Sequence, residues 1–538
     1  MKKKLSILLI VVLTCVFMLA GCNFKTSVLD NTDGDVISTT NGSAVVEKGD
    51  YLYFINGKVA VEDANEFGKV TKGSLVRIAK SQLSSPSQDA VEVVIPKLFI
   101  TGQFNRGVYF YGDNVYFATP SDKKNASGQV KNTQTEFYKF DLKTGKMDKK
   151  PIATATDNTT DYIFTEKDGV VYLVYTYSEV DGENTKNYIK VVNTQDKKEW
   201  TSSAYQEVLL PEDNSNNIFF TIVSDSKELA EDVTENFHDL YSYTVGDEDA
   251  KICLSGAGSY AIGRGDRNQE EYPLVAEGGF SGFTITLIKN TGKYLFYSIT
   301  KLDDNSIIYF AVDYINNGTL IKNFDNDGKD NKIDEKDYTF VKELGYSDNL
   351  IDNAITKSSF VKGINEIYYV DTYYGLRKYD YTKGKNDKVE TIFEGCKDYT
   401  LYSIEGNLFY FADANGFYYV LDINAEDKEL YKLNGVEMTL ADAFFKPTVV
   451  NANGKKYFLG VYTAEYCYNY LYCIDITDAM QAPVDGEETS KYQQKLEEYG
   501  TMDREKTLEL NASLLGKMTT EDSDAFDAYL EETYPEEE

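Results

Sequence analysis

The sequence predicts an all-β protein, a β-propeller of eight blades, or seven, with a short α-helical C-terminal tail. The first observation is composition: the 538 residues include 44 tyrosines and 29 phenylalanines but only nine prolines. Such a composition favours strands, because flat aromatic side chains cover a pleated surface well. The second observation is an aromatic strand pattern that recurs along the chain, and the third is the turn sequences that separate its copies.

The first 22 residues have the features of an export signal. Lys2, Lys3 and Lys4 form a positive region, residues 5–18 are apolar, and Leu19-Ala20-Gly21-Cys22 is a small-residue cleavage site. This tetrad resembles the lipobox of bacterial lipoproteins, in which cleavage precedes the cysteine and its thiol receives diacylglycerol. The resemblance implies that Cys22 is lipidated and holds the chain on the extracytoplasmic face of the cell membrane. An ordinary signal peptide or a transmembrane anchor is the alternative, although the apolar run is short for a span of about 20 residues.

The charge of the chain narrows the choice of partners. The net charge is −32, and removal of residues 1–22 would take away Lys2, Lys3 and Lys4 and make the charge still more negative. Such a surface repels the phosphates of nucleic acids and anionic lipid headgroups. The sequence therefore predicts no nucleic-acid partner, and it favours cations and basic partners.

After Cys22, residues 23–42 are polar and are predicted to form a flexible tether. The predicted propeller spans 43–480, in which an aromatic strand recurs eight times and is interpreted as the inner strand of each unit. Its copies are DYLYFI (50–55), NVYFAT (114–119), VVYLVY (170–175), NIFFTI (217–222), KYLFYS (293–298), EIYYVD (366–371), NLFYFA (407–412) and KKYFLG (455–460). Five of these runs are followed by a second strand: FYKFD (137–141), LYSYT (240–244), LRKYD (376–380), YYVLD (418–422) and LYCID (471–475).

Turn chemistry lies between these runs. Asn56-Gly57, Asp168-Gly169, Asn415-Gly416 and Asn453-Gly454 pair a short polar residue with glycine, and both residue types tolerate positive φ. The aromatic runs are nearly continuous in apolar character, whereas a strand with one wet face would alternate. Radial sheets that pack face to face cover such strands on both sides, as in a β-propeller. Tyrosine suits this role, because its ring packs between sheets while its hydroxyl reaches a carbonyl or water.

EIYYVDTYYGLRKYD (366–380) is similar to the repeats of YWTD-type propellers and of bacterial lipoproteins that carry the DUF5050 domain. In these repeats an aromatic-aromatic-x-Asp strand precedes a Gly-Leu-x-Arg-like strand. The similarity extends over residues 364–433 and is fragmentary elsewhere, and this chain has tyrosine or phenylalanine where the YWTD repeat has tryptophan. The resemblance implies the fold and assigns no catalytic residue.

From residue 481 to 538 the aromatic strands give way to an acidic segment with helical spacing, for example at Phe526, Tyr529 and Leu530. This predicted tail either docks on the propeller or presents an amphipathic face to a partner.

One acidic segment is a candidate metal site. Carboxylates alternate around Gly328 and continue beyond Ile333, which resembles an EF-hand-like loop with oxygen ligands for Ca²⁺. Two extra residues separate Gly328 from Ile333, no glutamate stands at the closing position, and a solvated acidic hairpin is the alternative. The candidate ligands are Asp325, Asp327, Asp330, Asp334 and Asp337.

The remaining reactive residues give no catalytic pattern. Cys253, Cys396, Cys467 and Cys473 match no zinc spacing and are predicted to be buried free thiols. His238 is predicted to be structural, and no Gly-x-Ser-x-Gly elbow accompanies it.

These observations favour a non-enzymatic, lipid-anchored module that binds a protein, peptide or glycan, with Tyr373 and Tyr374 as candidate contacts. The alternative is an envelope carbohydrate hydrolase or lyase that uses carboxylates in the axial channel, since glycoside hydrolysis needs only two carboxylates at a set separation. A third hypothesis is an assembly factor that docks through the acidic tail.

Overall fold

The fold was analysed in a computed structural model of the chain. The predicted signal peptide (1–22) and C-terminal tail (481–538) lie outside the described residues. The structure describes residues 29–475 except 38–39, 44, 56–72, 84–89, 101–106, 124–125, 128–133, 156–160, 183, 212–214, 231–232, 255–282, 302–306, 315–340, 347–348, 364–365, 372, 374, 381–382, 384–386, 397–398, 414–417, 433–447 and 464–468.

The first half of the described chain forms four antiparallel sheets, each built from strands that are consecutive in sequence. Sheet 1 contains β1 (Val45–Lys48), β2 (Tyr51–Ile55), β3 (Leu75–Ala79) and β4 (Val91–Ile95). Sheet 2 contains β5 (Tyr109–Tyr111), β6 (Asn114–Pro120), β7 (Thr135–Asp141), β8 (Lys146–Met147) and β9 (Ala153–Ala155). Sheet 3 contains β10 (Tyr162–Lys167), β11 (Val170–Asp181), β12 (Asn184–Asn193) and β13 (Glu199–Thr201). Sheet 4 contains β14 (Val208–Leu209), β15 (Asn217–Ala230), β16 (Val233–Thr244) and β17 (Lys251–Leu254).

The second half continues in the same way. Sheet 5 contains β18 (Phe283–Asn290), β19 (Tyr294–Lys301), β20 (Ile307–Asp313) and β21 (Val341–Tyr346). Sheet 6 contains β22 (Phe360–Gly363), β23 (Glu366–Val370), β24 (Leu376–Tyr379) and β25 (Val389–Phe393). Sheet 7 contains β26 (Tyr399–Glu405), β27 (Leu408–Asp413), β28 (Tyr418–Asp422) and β29 (Tyr431–Lys432), and sheet 8 contains β30 (Thr448–Ala452), β31 (Lys455–Thr463) and β32 (Asn469–Asp475). A helix, α1 (Asn349–Ala354), precedes sheet 6, and within the described part of the chain no helix has the length and apolar character needed to cross a bilayer.

These sheets are arranged as a β-propeller, so the predicted fold class is confirmed. Within the described residues, sheets 1 to 7 are complete blades of four strands or more, and sheet 8 has three strands. Buried apolar side chains connect each sheet to the next from sheet 1 to sheet 7. The ring closes where Val450 and Tyr457 of sheet 8 pack with Val45 and Leu52 of sheet 1.

The aromatic runs of the sequence occupy a constant place in the blades. All eight lie in the second strand of their sheet, and the five accompanying runs lie in the third. Each aromatic run is therefore an interior strand of its sheet, with a neighbouring strand on both sides. In sheets 1 to 7 the second and third strands are the central ones, hydrogen-bonded on both sides, and such strands, covered on both faces, give the strongest apolar signal.

Tyrosine acts between the blades as predicted. The ring of Tyr53 packs edge-on against Phe110 of the neighbouring sheet, with ring centroids 4.9 Å apart. The hydroxyl of the buried Tyr162 donates to the carbonyl oxygen of Ile100 at 2.6 Å, and that of Tyr111 donates to the carbonyl oxygen of Phe164 at 2.7 Å. These rings thus fill space between sheets, and the hydroxyls of Tyr162 and Tyr111 satisfy backbone acceptors.

Two of the four predicted turns can be examined. Asp168 and Gly169 connect β10 to β11 with φ values of 53° and 75°, and Asn453 and Gly454 connect β30 to β31 with 53° and 74°. Two successive residues with positive φ define the type I′ hairpin turn that a right-handed strand twist favours. Asn56-Gly57 and Asn415-Gly416 lie outside the described residues.

The predicted tether, 23–42, is described from Leu29 onward, and this part contacts sheet 1. Arg77 donates through Nη2 to the carbonyl oxygen of Asp30 at 2.7 Å, and Lys48 donates through Nζ to the carbonyl oxygens of Thr32 and Gly34 at 3.0 and 2.6 Å. Two buried cations therefore hold the backbone of this segment on the blade, and its polar composition serves docking as well as linkage.

Candidate functional site

A polar cleft lies between sheets 2 and 3, and its volume is about 560 Å³. Hairpin and turn residues form it: the β5–β6 and β10–β11 hairpins, the segment after β8 and the turn between β12 and β13. The lining residues are Tyr111, Gly112, Asn114, Tyr116, Lys139, Asp148, Ile152, Glu166, Gly169, Val171, Thr194, Gln195 and Lys197. The volume lies within the range of small-ligand sites, about 300 to 1,000 Å³.

The phenol of Tyr116, on β6, interacts with two carboxylates of this cleft. Burial raises the pKa of its phenol, the charges of Asp148 and Glu166 raise it further, and a hydrogen bond with Thr194 lowers it. The two carboxylates come from different blades, Asp148 from the segment after β8 and Glu166 from β10. The blade junction thus places two acidic groups and a phenol around one space.

Lys197, in the turn between β12 and β13, supplies a cation to the cleft. The turn that carries it is fixed by Asn193, whose carbonyl oxygen accepts from the backbone N–H of Lys197 at 3.0 Å and whose side chain accepts from that of Gln195 at 2.9 Å. Lys197 itself has a φ of 65°. Partial burial lowers the pKa of its ammonium group, Asp148 raises it and Lys139 lowers it. Two lysines and a carboxylate therefore interact within the cleft, and a bound anionic group would relieve the repulsion between the lysines.

A second cleft, of about 470 Å³, lies at the junction of sheets 8 and 1. Its lining includes Asn31 of the docked N-terminal segment, Tyr51, Lys80 and Asn453. The amide of Asn453 donates to the carbonyl oxygen of Lys80 at 3.2 Å, across the closure of the ring. This cleft offers fewer charged groups than the first.

A loop between β23 and β24 presents one of the predicted contacts. The carboxylate of Asp371 accepts from the backbone N–H groups of Tyr373 and Gly375 at 3.0 and 2.8 Å, and from Nε of Arg377 at 2.8 Å. Arg377 also binds Glu394 through two nitrogen atoms, at 2.7 and 3.1 Å. Burial raises the pKa of Asp371, but its hydrogen bonds with Gly375 and Arg377 outweigh this effect and lower it overall. Tyr373 is 83% exposed on this fixed loop, whereas Tyr374 lies outside the described residues.

The other predicted site residues divide into two groups. Cys22 and the proposed calcium ligands Asp325, Asp327, Asp330, Asp334 and Asp337 lie outside the described residues, so lipidation and calcium binding stay predictions. In the part of the chain that the structure describes, no three metal-binding side chains come together.

The predicted roles of His238 and the cysteines can be examined in part. Nδ1 of His238 lies 3.2 Å from the carbonyl oxygen and 3.3 Å from the amide nitrogen of Ile285, a structural contact with the neighbouring sheet. Cys253 and Cys396 are buried free thiols as predicted, and burial raises their pKa to about 11 and about 12. Such thiols are poor nucleophiles at neutral pH.

The sequence did not identify the residues of the cleft. Lys139, Asp148, Glu166 and Lys197 belong to a chain with 55 basic and 87 acidic residues, and none lies in a recognisable motif. The one local signal is the predicted Asp168-Gly169 turn, since residues on either side of a tight hairpin lie at the rim of a blade.

No protein-family model matches the sequence, and no curated protein is similar to it. Solved structures with some similarity include a prolyl endopeptidase (TM-score 0.38, 10% identity, 69% of this chain and 48% of that one). They also include the β-propeller domain of the Trilobed protease from Pyrococcus furiosus (0.35, 10%, 71% and 95%) and BamB from Moraxella catarrhalis (0.31, 10%, 81% and 94%). The chain spans about half the length of the prolyl endopeptidase, and at these identities no activity is transferred from any of the three.

Proposed function

We propose that the protein is a lipid-anchored extracytoplasmic binding or scaffold module, and that the cleft between sheets 2 and 3 binds a glycan. The observation that carries the proposal is the lining of this cleft by acidic, basic, amide and hydroxyl side chains within a volume suited to a small ligand. A hydroxyl-rich ligand both donates and accepts hydrogen bonds, as this lining does.

The choice of a glycan over a peptide rests on the scarcity of apolar surface in the cleft. Ile152 and Val171 are its aliphatic residues, and the ring of Tyr116 is buried. A peptide that anchors through apolar side chains would find little to fill. The anchor part of the proposal rests on the residues around Cys22 and on the two-chain requirement for stable membrane attachment.

A glycan array probed with residues 23–538, followed by calorimetric titration of the strongest ligand, tests the proposal. Glu166→Gln removes one charge without change of shape, and Lys197→Asn removes a cation while asparagine tolerates the positive φ of this position. We expect each variant to weaken binding about tenfold, the effect of one charge-assisted hydrogen bond. Lys143→Ala is the matched control, because Lys143 is exposed on sheet 2 and does not line the cleft.

This function is refuted if no glycan on the array binds the protein, or if the two cleft variants bind the ligand with the same affinity as Lys143→Ala.

The second candidate function is a carbohydrate hydrolase or lyase. The observation in its favour is that Asp148 and Glu166 both act on Tyr116 in one cleft, since glycoside hydrolysis uses two carboxylates. Release of reducing ends from the ligand, abolished in Asp148→Asn and Glu166→Gln while the ligand still binds, would establish the enzyme. If the wild-type protein binds the ligand but does not cleave it, the binding function is favoured over the enzyme.

A further inference from the structure

The N-terminal part of the described chain is held on one side of the propeller. We call this side the hairpin side, because the first and second strands of each sheet connect there, in sheet 1 at Gly49-Asp50. The segment 29–37 lies along the hairpin side. The N–H of Gly49 donates to the carbonyl oxygen of Asp35 at 2.9 Å, and the side chain of Leu29 packs against the core between sheets 1 and 2.

The segment fits closely between the turns of sheets 1 and 2. Gly34 has a φ of 115°, and a Cβ atom at this position would lie 2.4 Å from the Cα atom of Gly49. Lys48 donates through Nζ to the carbonyl oxygen of Gly34 at 2.6 Å. Asp33 forms an ion pair of 3.5 Å with Lys143, which lies in the turn between β7 and β8. The segment is therefore fixed to both sheets.

This docking sets the length of free chain between Cys22 and the propeller. Leu29 is seven residues from Cys22, and seven extended residues span at most about 25 Å. The next described contact with a blade is at Thr40, whose hydroxyl oxygen accepts from the N–H of Glu47 at 3.0 Å. Thr40 is 18 residues from Cys22, and that length spans up to about 60 Å. The docked segment thus shortens the reach of the chain by more than half.

The two candidate binding regions lie on different sides of the propeller. The cleft between sheets 2 and 3 is formed by the β5–β6 and β10–β11 hairpins and so opens on the hairpin side. Tyr373 lies between β23 and β24, the second and third strands of sheet 6. Because each strand crosses its blade once, that loop is on the opposite side. Sheet 6 also lies across the ring from sheets 1 and 2.

We propose that the docked segment orients the anchored propeller, with the hairpin side of sheets 1 and 2 held next to the bilayer and the Tyr373 loop on the remote side. This orientation rests on the proposed lipidation of Cys22. It also deepens the proposed function, since the cleft between sheets 2 and 3 then meets glycans that are attached to the membrane or lie beside it. The lipid anchor and the short chain produce the orientation, because a net charge of −32 gives no attraction to anionic headgroups.

Energy transfer from the protein to acceptor-labelled lipids measures this orientation. The lipidated protein is reconstituted into phosphatidylcholine vesicles that contain a small fraction of acceptor lipid. A donor dye is coupled to p-azidophenylalanine, which is introduced at Thr144, exposed in the β7–β8 turn on the hairpin side, or at Tyr373. A strand of seven residues such as β6 separates the two sides by about 23 Å, so we expect transfer from Thr144 to be at least about twice as efficient as from Tyr373.

Two changes test whether the docked segment causes the difference. Gly34→Val places a side chain against the backbone of Gly49 and should undock the segment, which faster hydrogen exchange in residues 29–37 reports. Insertion of about 20 glycine and serine residues between Ser27 and Val28 lengthens the free chain and keeps the docking. Each change should bring the two transfer efficiencies close to each other. Asp33→Asn is the matched control, because it removes only an exposed ion pair and should leave the difference as in the wild type.

More efficient transfer from Thr144 than from Tyr373, lost in both altered proteins and kept in Asp33→Asn, supports the proposal. The orientation is overturned, while the anchor stands, if the lipidated wild type shows equal transfer from the two positions, or if either change leaves the difference at its wild-type value. Mass spectrometry of the N-terminal peptide identifies the other failure. If Cys22 carries no lipid, the proposed anchor is refuted, and the orientation is refuted with it.

Discussion

The docking of residues 29–37 on sheet 1 depends on Arg77, and the variant Arg77→Met tests this dependence. The Arg77 side chain is 1% exposed, while that of its partner Glu92 is 50% exposed, with Nε and Oε2 2.6 Å apart. Nη2 of Arg77 also donates to the carbonyl oxygen of Asp30 at 2.7 Å. Its guanidinium carbon lies 4.0 Å from the centre of the Tyr51 ring.

The magnitude follows from these three contacts. Loss of the bond to Asp30 costs about 1.5 to 2 kcal/mol, because a charged donor is removed and the carbonyl loses its partner. The pair with Glu92 contributes about 0.5 to 1 kcal/mol, since that carboxylate regains water, and the contact with Tyr51 contributes about 0.5 to 1 kcal/mol. Methionine fills part of the space and needs no desolvation of a charge, which offsets part of the loss. We expect the free energy of unfolding to fall by about 2 to 3 kcal/mol.

Urea unfolding of residues 23–538, followed by the fluorescence of Trp200, measures this change. Trp200 is the only tryptophan of the chain and stacks on Tyr243 with ring centroids 3.8 Å apart. Hydrogen exchange in residues 29–37 should also become faster. The matched control is Lys251→Met, which breaks an exposed ion pair with Asp247 in sheet 4, away from residues 29–37, and should cost less than about 0.5 kcal/mol. If Arg77→Met is no more destabilising than the control and exchange in residues 29–37 does not change, the reasoning is refuted.

Three further predictions concern the anchor, the loop and the acidic segment. Cys22→Ser should move the protein from the membrane fraction to the soluble fraction of expressing bacteria, and an unchanged distribution would contradict lipidation. The lowered pKa of Asp371 means that its ionised carboxylate stabilises the folded state fully at pH values above the unfolded pKa of about 3.9, and this stability is lost as pH falls through the folded pKa. Asp371→Asn should therefore reduce the slope of the free energy of unfolding against pH in the acid range. An equal slope in the variant and the wild type would contradict this contribution. Calorimetry with Ca²⁺ should detect a site that Asp325→Asn with Asp327→Asn abolishes, and equal heats in both proteins would favour the acidic hairpin.

The fold could be predicted because its central strands carry a strong signal. Residues such as Tyr53, Phe117 and Tyr410 are buried in strands that have neighbours on both sides, so the whole run is apolar. Edge strands carry little signal: β13 (Glu199–Thr201) has the sequence EWT, and β8 (Lys146–Met147) has only two residues. Such strands are specified by pairing with the strand beside them, which a local pattern does not show.

The candidate site could not be predicted, for a related reason. Asp148 and Glu166 meet because two blades pack face to face, and the spacing of 18 positions between them has no meaning in either strand. Tyr373 is an exception, since Asp371, Gly375 and Arg377 form a local loop motif that sequence similarity identified.

The central claim is that the tyrosines of this protein are packed between the blades of a closed propeller. Spectrophotometric titration of the folded protein, which measures phenol ionisation directly, tests it. Burial raises the pKa of many tyrosines, for example to about 12 for Tyr243 and Tyr369. We therefore predict that a large part of the absorbance change of the 44 tyrosines is missing at about pH 10 to 11 and appears only as the protein unfolds at higher pH. A full change centred near pH 10, while the protein remains folded, would contradict the claim.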